Sequence, residues 1–173
     1  MSDAAVGFAP VADAAARVLI LGTLPGRVSL ARREYYAQHR NAFWPIMGVL
    51  YGAGPEIPYP QRLQRLCAAR VALWDVCAAA TRPGSLDSAI DPRSVVPNDF
   101  SAFFDAHPRI AILCFNGAAA ESMFRRLVSP TLGAAPSRFE LRRLPSTSAA
   151  NASLCHERKL AAWTVGLQWG RPP

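Results

Sequence analysis

The chain has 173 residues, 51% of them hydrophobic, and a net charge of +7 with a pI near 9.9. That length supports one domain with a substantial core, and the apolar content excludes a disordered chain. The charge suits a polyanionic partner, although Lys159 is the only lysine, so an arginine-rich coding bias accounts for the excess equally well. Residues 1–16 read as a short, mobile leader ahead of a single domain over 17–173. Arg17–Leu24 is an apolar run that ends in Pro25-Gly26, the pattern of a buried strand followed by a loop. Ser29–Ala37 predicts a short helix with Ser29 as its N-cap. Asn41–Tyr51 spaces Phe43, Ile46, Met47, Leu50 and Tyr51 at helical intervals, with Pro45 in the tolerated first turn and Gly52 as the stop. Pro60–Ala69 predicts a further helix and Arg70–Val76 a second strand, and the prolines and glycine of Thr81–Pro92 predict a loop. Asn98–Ala106 places Phe100, Phe103 and Phe104 on one helical face. Arg109–Phe115, helix Ala118–Val128, strand Arg138–Leu144 and helix Leu154–Leu167 complete the chain. This alternation predicts an α/β three-layer sandwich with a central, mostly parallel four-stranded sheet.

Cys67, Cys77, Cys114 and Cys155 form no C-x-x-C pair and no zinc spacing. They read as reduced thiols, with neither a metal nor an iron–sulfur cluster expected. His39, His107 and His156 are too scattered to suggest a metal. No apolar run reaches membrane-spanning length, and the N-terminus lacks the basic and apolar regions of a secretory signal. A cytoplasmic protein, nucleoid-associated in a bacterium, is the expectation.

Two segments carry the candidate chemistry. Gly22-Thr23-Leu24-Pro25-Gly26 is neither a dinucleotide fingerprint nor a P-loop. Its glycines can admit a ligand to the backbone or simply turn the chain. Asn41 can orient water and donate a hydrogen bond, or cap the following helix. Phe43 can stack on an extruded base or pack in the core. Asn116, before Gly117, can pair with the edge of a base through donor and acceptor, or serve as a turn residue. Ser146, Thr147 and Ser148 offer donors for phosphate, Asn151 can fill a vacated base position or cap the last helix, and Arg142 and Arg143 precede that loop. Ser146, His156 and Asp75 could be assembled into a triad, but no G-x-S-x-G elbow accompanies them.

Taken together, VLILGTLPGRVSLARREYYAQHRNAFWPIM from Val18 and LRRLPSTSAANAS from Leu141 resemble the uracil-DNA glycosylase superfamily, and most closely its DNA-deoxyinosine branch. Trp74-Asp75-Val76 and Arg82-Pro83-Gly84-Ser85-Leu86-Asp87 add to the likeness, which runs from about Arg17 to Trp163. The resemblance implies a monofunctional, cofactor-free and monomeric hydrolase acting on DNA that contains a deaminated base, hypoxanthine before uracil. It places the proposed catalytic asparagine of Arg-Asn-x-Phe-Trp on Asn41, the base-reading asparagine on Asn116 and the second motif's DNA contacts on Ser146, Thr147, Ser148 and Asn151, while the residues themselves add Gly22, Thr23, Leu24 and Phe43 as candidate base contacts and Arg142 and Arg143 as candidate DNA contacts. Gln38-His39 and Ala149 depart from the family's usual residues. The rival readings are a uracil- or mismatch-specific glycosylase, a non-catalytic nucleic-acid-binding module of the same fold, and a small-molecule hydrolase using the same crevice.

Overall fold

The computed structural model describes residues 4–133 and 135–169. Residues 1–3 of the expected leader and residues 134 and 170–173 of the expected domain lie outside the described residues. The remainder of the expected leader is built into the fold. Strand β1, Ala4–Val6, pairs antiparallel with a strand met later in the chain, and Val11 bridges to Leu73. The Trp74 indole donates to the Phe8 carbonyl at 3.0 Å and the Tyr35 hydroxyl to the Ala9 carbonyl at 3.2 Å.

Strand β2, Val18–Gly22, is buried along its whole length. Helix α1, Arg27–Arg32, follows and stops earlier than expected, because Arg33 adopts a left-handed conformation with φ 55°. Ser29 lies inside α1 rather than capping it, and its Oγ accepts from the Ala37 N–H at 3.1 Å. Helix α2, Phe43–Tyr51, ends at left-handed Gly52, and helix α3 spans Tyr59–Ala68. Strand β3, Val71–Asp75, is followed at once by β4, Cys77–Thr81, the partner of β1. With the short β5, Val96–Pro97, these form a separate three-stranded antiparallel sheet that the alternation of strand and helix did not predict. Helix α4, Phe100–Ala106, is capped by Asp99. Strand β6, Ile112–Asn116, leads into α5, Ala118–Met123, which loosens into a π-helical turn over Phe124–Val128. Strand β7, Glu140–Leu144, and helix α6, His156–Gly166, complete the chain.

The main sheet has the order β3-β2-β6-β7 with every pair parallel, as the alternation of strand and helix requires. Side chains alternate across it. Leu19, Leu21, Trp74 and Phe115 meet the α4 phenylalanines and Phe124 on one face, and Val18, Ile20, Leu73 and Cys114 meet α2, α3 and α6 on the other. Because the strands run in step, their last residues gather at one end. Gly22 is opposite Asp75, and Asn116 is opposite Leu144.

Candidate active site

A cavity of about 430 Å³ opens at this carboxyl end of the sheet, the place where open parallel sheets hold ligands. One wall is the loop after β2, including Gly22, Thr23 and Leu24. The Leu144–Asn151 loop contributes Ser146, Thr147, Ser148 and Asn151, and Tyr36, Asn41, Asp75 and Asn116 complete the lining around its inner end.

The first loop is held from behind. Arg82 is 4% exposed; its guanidinium donates to the Leu24 carbonyl at 3.1 Å and also to the Pro25 carbonyl. Asp87, at the cavity rim, faces Arg82 at 3.9 Å and accepts from the Thr23 hydroxyl at 2.6 Å. Arg82 is thus a positioning residue for the loop, one that sequence reasoning missed. At Gly22 the backbone is crowded from the cavity side. A Cβ there would meet Asp75 Oδ1 and, at 3.0 Å, the Tyr36 hydroxyl, so only glycine fits.

Asn41 lines the cavity and also serves the helix, its Oδ1 accepting from the Phe43 N–H at 2.9 Å. The second lone pair of that oxygen and the amide N–H donors remain for a ligand or water. Phe43 corrects its expected role. It is fully buried, stacked under Tyr36 with ring centroids 4.0 Å apart and edge-on to Trp44 and Trp163. Tyr35 and Tyr36 line the cavity in its place, Tyr36 held at φ 54°. A positive φ is rare for a bulky residue, and nothing in the sequence marks it. Trp44 is packing, with its indole on the Tyr35 carbonyl at 2.8 Å.

Asn116 sits at the tip of β6 with its amide fixed. Nδ2 donates to the Thr147 hydroxyl at 2.9 Å, and Oδ1 accepts from the Thr147 N–H at 2.9 Å. Gly117, at φ 95°, then lets Ser146 pack against it, since a Cβ would stand 3.0 Å from that of Ser146. The second loop is further secured by Lys159, 5% exposed, whose ammonium donates to the Asn151 carbonyl at 2.7 Å and the Ser148 carbonyl at 3.4 Å. Burial lowers the pKa of that ammonium.

Arg142 is not placed as a phosphate contact. It pairs with Glu140 and donates to the carbonyls of Gly166 and Gln168 at the end of α6, at 2.8 and 2.7 Å. Arg143 is exposed and shares the buried Glu121 with Arg125. His156 is exposed on α6 and does not line the cavity, so Ser146, His156 and Asp75 form no triad. Among the described residues no three His, Cys, Asp or Glu side chains gather as a metal-binding group, and no helix is long and apolar enough to cross a membrane.

Asp75 is the residue whose importance the sequence concealed. It is 3% exposed and lines the cavity. Its Oδ2 is buried without a hydrogen-bond partner among the described residues. Burial, reinforced by Asp87 and offset by Arg82, pushes its pKa from 3.8 up to about 7.

The chain matches the sequence profile of the Uracil DNA glycosylase superfamily over residues 9–165. The chain belongs to that superfamily. The glycosylase is 34% identical over 157 residues to the Hypoxanthine DNA glycosylase of Methanosarcina acetivorans, covering 88% of this chain and 92% of the relative. It is 35% identical over 163 residues to the Hypoxanthine DNA glycosylase of Methanosarcina barkeri, covering 94% and 97%. Among solved structures, a solution NMR structure of a candidate uracil DNA glycosylase from Methanosarcina acetivorans superposes with a TM-score of 0.74 at 32% identity, covering 94% of this chain and 98% of that one. The fold and family expected from the two loop motifs are thereby established, and with them a DNA-repair hydrolase acting on N-glycosyl bonds.

Proposed function

We propose that this glycosylase excises hypoxanthine from DNA by hydrolysis, with uracil as a secondary substrate, and leaves an abasic site. The observation that carries the reading is a cavity of about 430 Å³, roomy enough to admit a nucleobase with its sugar, at the carboxyl end of the sheet, in a chain about one-third identical to two relatives named for hypoxanthine. The target nucleotide turns out of the duplex into the cavity. Tyr36 offers a ring face, and the backbone of Gly22–Leu24 and the remaining amide valences of Asn116 offer polar contacts. Asn41 directs water toward C1′ while the sugar gains positive charge. An amide is a poor base, so the barrier falls through orientation and electrostatic preorganisation rather than through a strong nucleophile. Ser146, Ser148 and Asn151 are offered to the flanking phosphates, with exposed Arg143 as a further cation, whereas Thr147, expected beside them, is 1% exposed and committed to Asn116.

The test is a panel of oligonucleotides bearing hypoxanthine, uracil or xanthine, each opposite every base and single-stranded, treated with enzyme and then alkali. Hypoxanthine strands break first if the reading holds. A protein that binds these duplexes and releases no base is instead a binding module.

A further inference from the structure

Two residues lining the cavity carry a buried polar atom with no well-aligned hydrogen-bond partner among the described residues. One is Asp75 Oδ2, and the other is the Tyr36 hydroxyl, whose oxygen is buried. The hydroxyl lies between Asp75 and the Asn116 amide, with the amide within hydrogen-bonding reach. Asp75 and Tyr36 both crowd Gly22, so they stand side by side. Tyr36 is clamped on Phe43, and the Asp75 main-chain carbonyl accepts from the Asn98 amide at 2.8 Å. Buried groups left unpaired are costly, and the two residues that carry them both line the cavity, which marks where a ligand's polar edge belongs.

A carboxylic acid and a phenol side by side present two hydrogen-bond donors. The complementary ligand edge has two adjacent acceptors. A 6-oxopurine has such an edge in O6 and N7, whereas adenine offers N7 beside an amino donor. Uracil offers O4 beside a C–H. We propose that protonated Asp75 and the Tyr36 hydroxyl read the O6/N7 edge of the extruded purine, and that Asp75 passes its proton to N7 as the base departs. This rests on the hypoxanthine reading above. It separates oxopurines from adenine but not hypoxanthine from guanine, which differ at C2.

The step balances. The C1′–N9 pair of electrons goes to the base, which takes the Asp75 proton at N7 and leaves neutral. Water adds its hydroxyl to C1′, and its released proton restores the Asp75 carboxyl through solvent. The pKa near 7 keeps a large share of Asp75 protonated at neutral pH. The titratable and charged groups around Asp75 are Asp87, Arg82, Tyr35, Tyr36, Tyr59 and Cys77.

The experiment uses duplexes bearing deoxyinosine, 7-deazadeoxyinosine or deoxyuridine, in cleavable form and as 2′-fluoro analogues that resist cleavage. Wild-type enzyme should bind the 7-deaza analogue about 10-fold more weakly than the deoxyinosine analogue, and that difference should vanish in Asp75→Ala. Asp75→Asn keeps a donor but cannot give up a proton as an acid. It should bind the deoxyinosine analogue within about threefold of wild type and excise hypoxanthine about 100-fold more slowly. Wild-type hypoxanthine excision should fall about tenfold per pH unit well above pH 7, with no such fall in Asp75→Asn. Tyr36→Phe should weaken deoxyinosine binding several-fold more than it weakens deoxyuridine binding. An equal 7-deaza effect in wild type and Asp75→Ala overturns the assignment, as does wild-type excision and pH dependence in Asp75→Asn. If wild-type enzyme cuts deoxyuridine and ignores deoxyinosine, the hypoxanthine reading fails and takes this one with it. If it cuts deoxyinosine while these variants behave like wild type, only the Asp75 assignment fails.

Discussion

Asn116 and Thr147 hold each other through two hydrogen bonds of 2.9 Å, one from amide to hydroxyl and one from main-chain N–H to amide oxygen. They join the tip of β6 to the second loop and fix which way the amide faces. Thr147→Val removes the hydroxyl and keeps the N–H. Nδ2 then loses its acceptor, the amide can rotate, and the base edge is no longer met by a preset group. Excision should drop about tenfold, in line with the removal of one hydrogen bond of about 1 kcal/mol or somewhat more, while affinity for undamaged duplex stays within about twofold. Single-turnover excision and fluorescence anisotropy measure the two quantities. An equal drop in both would make the pair a loop clasp alone.

Asn41→Ala should reduce excision about 100-fold or more while lesion-duplex binding persists, because the amide acts on water and developing charge. The same change removes the cap on the Phe43 N–H and should cost about 1 kcal/mol of stability. Asn41→Asp separates the two roles. It retains the oxygen that caps α2, so the melting temperature should return toward wild type, and excision need not follow it.

How much of this site could be read in advance depends on what each residue answers to. The four parallel strands follow from apolar runs spaced by helices, and the two loops follow from Pro and Gly at strand ends. Asn41 and Asn116 were visible because amides next to a helix start and a glycine stand out in one dimension. Asp75 was not, because an acid ending an apolar strand looks like a strand terminus until Gly22 is seen opposite it. Phe43 and Tyr36 exchange roles for a similar reason. Helical spacing identifies the Phe43 face, but only the left-handed backbone at Tyr36 decides which ring is outermost. The antiparallel sheet of β1, β4 and β5 escaped because β1 and β4 are short and rich in alanine and β5 is only Val96–Pro97, with no alternation to read.

Asp75 makes stability depend on pH. Its carboxyl holds a proton more tightly in the folded protein, with a pKa of about 7 against 3.8 for the unperturbed group. The folded state is therefore favoured by this group below about pH 4 and loses that advantage as pH rises through 7. At about 1.4 kcal/mol per pH unit, ionising Asp75 costs the fold on the order of 4 kcal/mol above pH 8. Asp75→Asn should be more stable than wild type at pH 8.5, and the gap should shrink steadily toward pH 4. Urea unfolding across that range would show the trend, and a gap that does not vary with pH would mean Asp75 is ionised throughout.

Lys159 is the only lysine, and its ammonium is committed to the carbonyls of Asn151 and Ser148. A β-lyase needs a free amine to form a Schiff base with the sugar, so strand cleavage should require added alkali and borohydride should trap no adduct. Lys159→Met removes the support beneath the second loop while filling its volume. Duplex affinity should fall several-fold, together with a lower melting temperature. Nicking without alkali that Lys159→Met abolishes would show that the loop opens and the amine reaches the sugar.

Arg142 and Arg143 are neighbours with different fates. Arg142 satisfies two carbonyls at the end of α6, where hydrogen bonds from a charged group are worth about 1.5–3 kcal/mol. Arg143 projects outward beside Glu121 with its side chain 62% exposed. Arg142→Ala should therefore lower the melting temperature and leave the salt dependence of DNA binding unchanged. Arg143→Ala should barely affect stability. It should reduce the slope of log K against log salt by about one, as expected when a single phosphate is no longer neutralised by the protein. Its effect should be the same on lesion and undamaged duplexes, since a cation on the phosphate backbone carries no base information. Equal slopes for Arg143→Ala and wild type would confine Arg143 to its ion pair with Glu121.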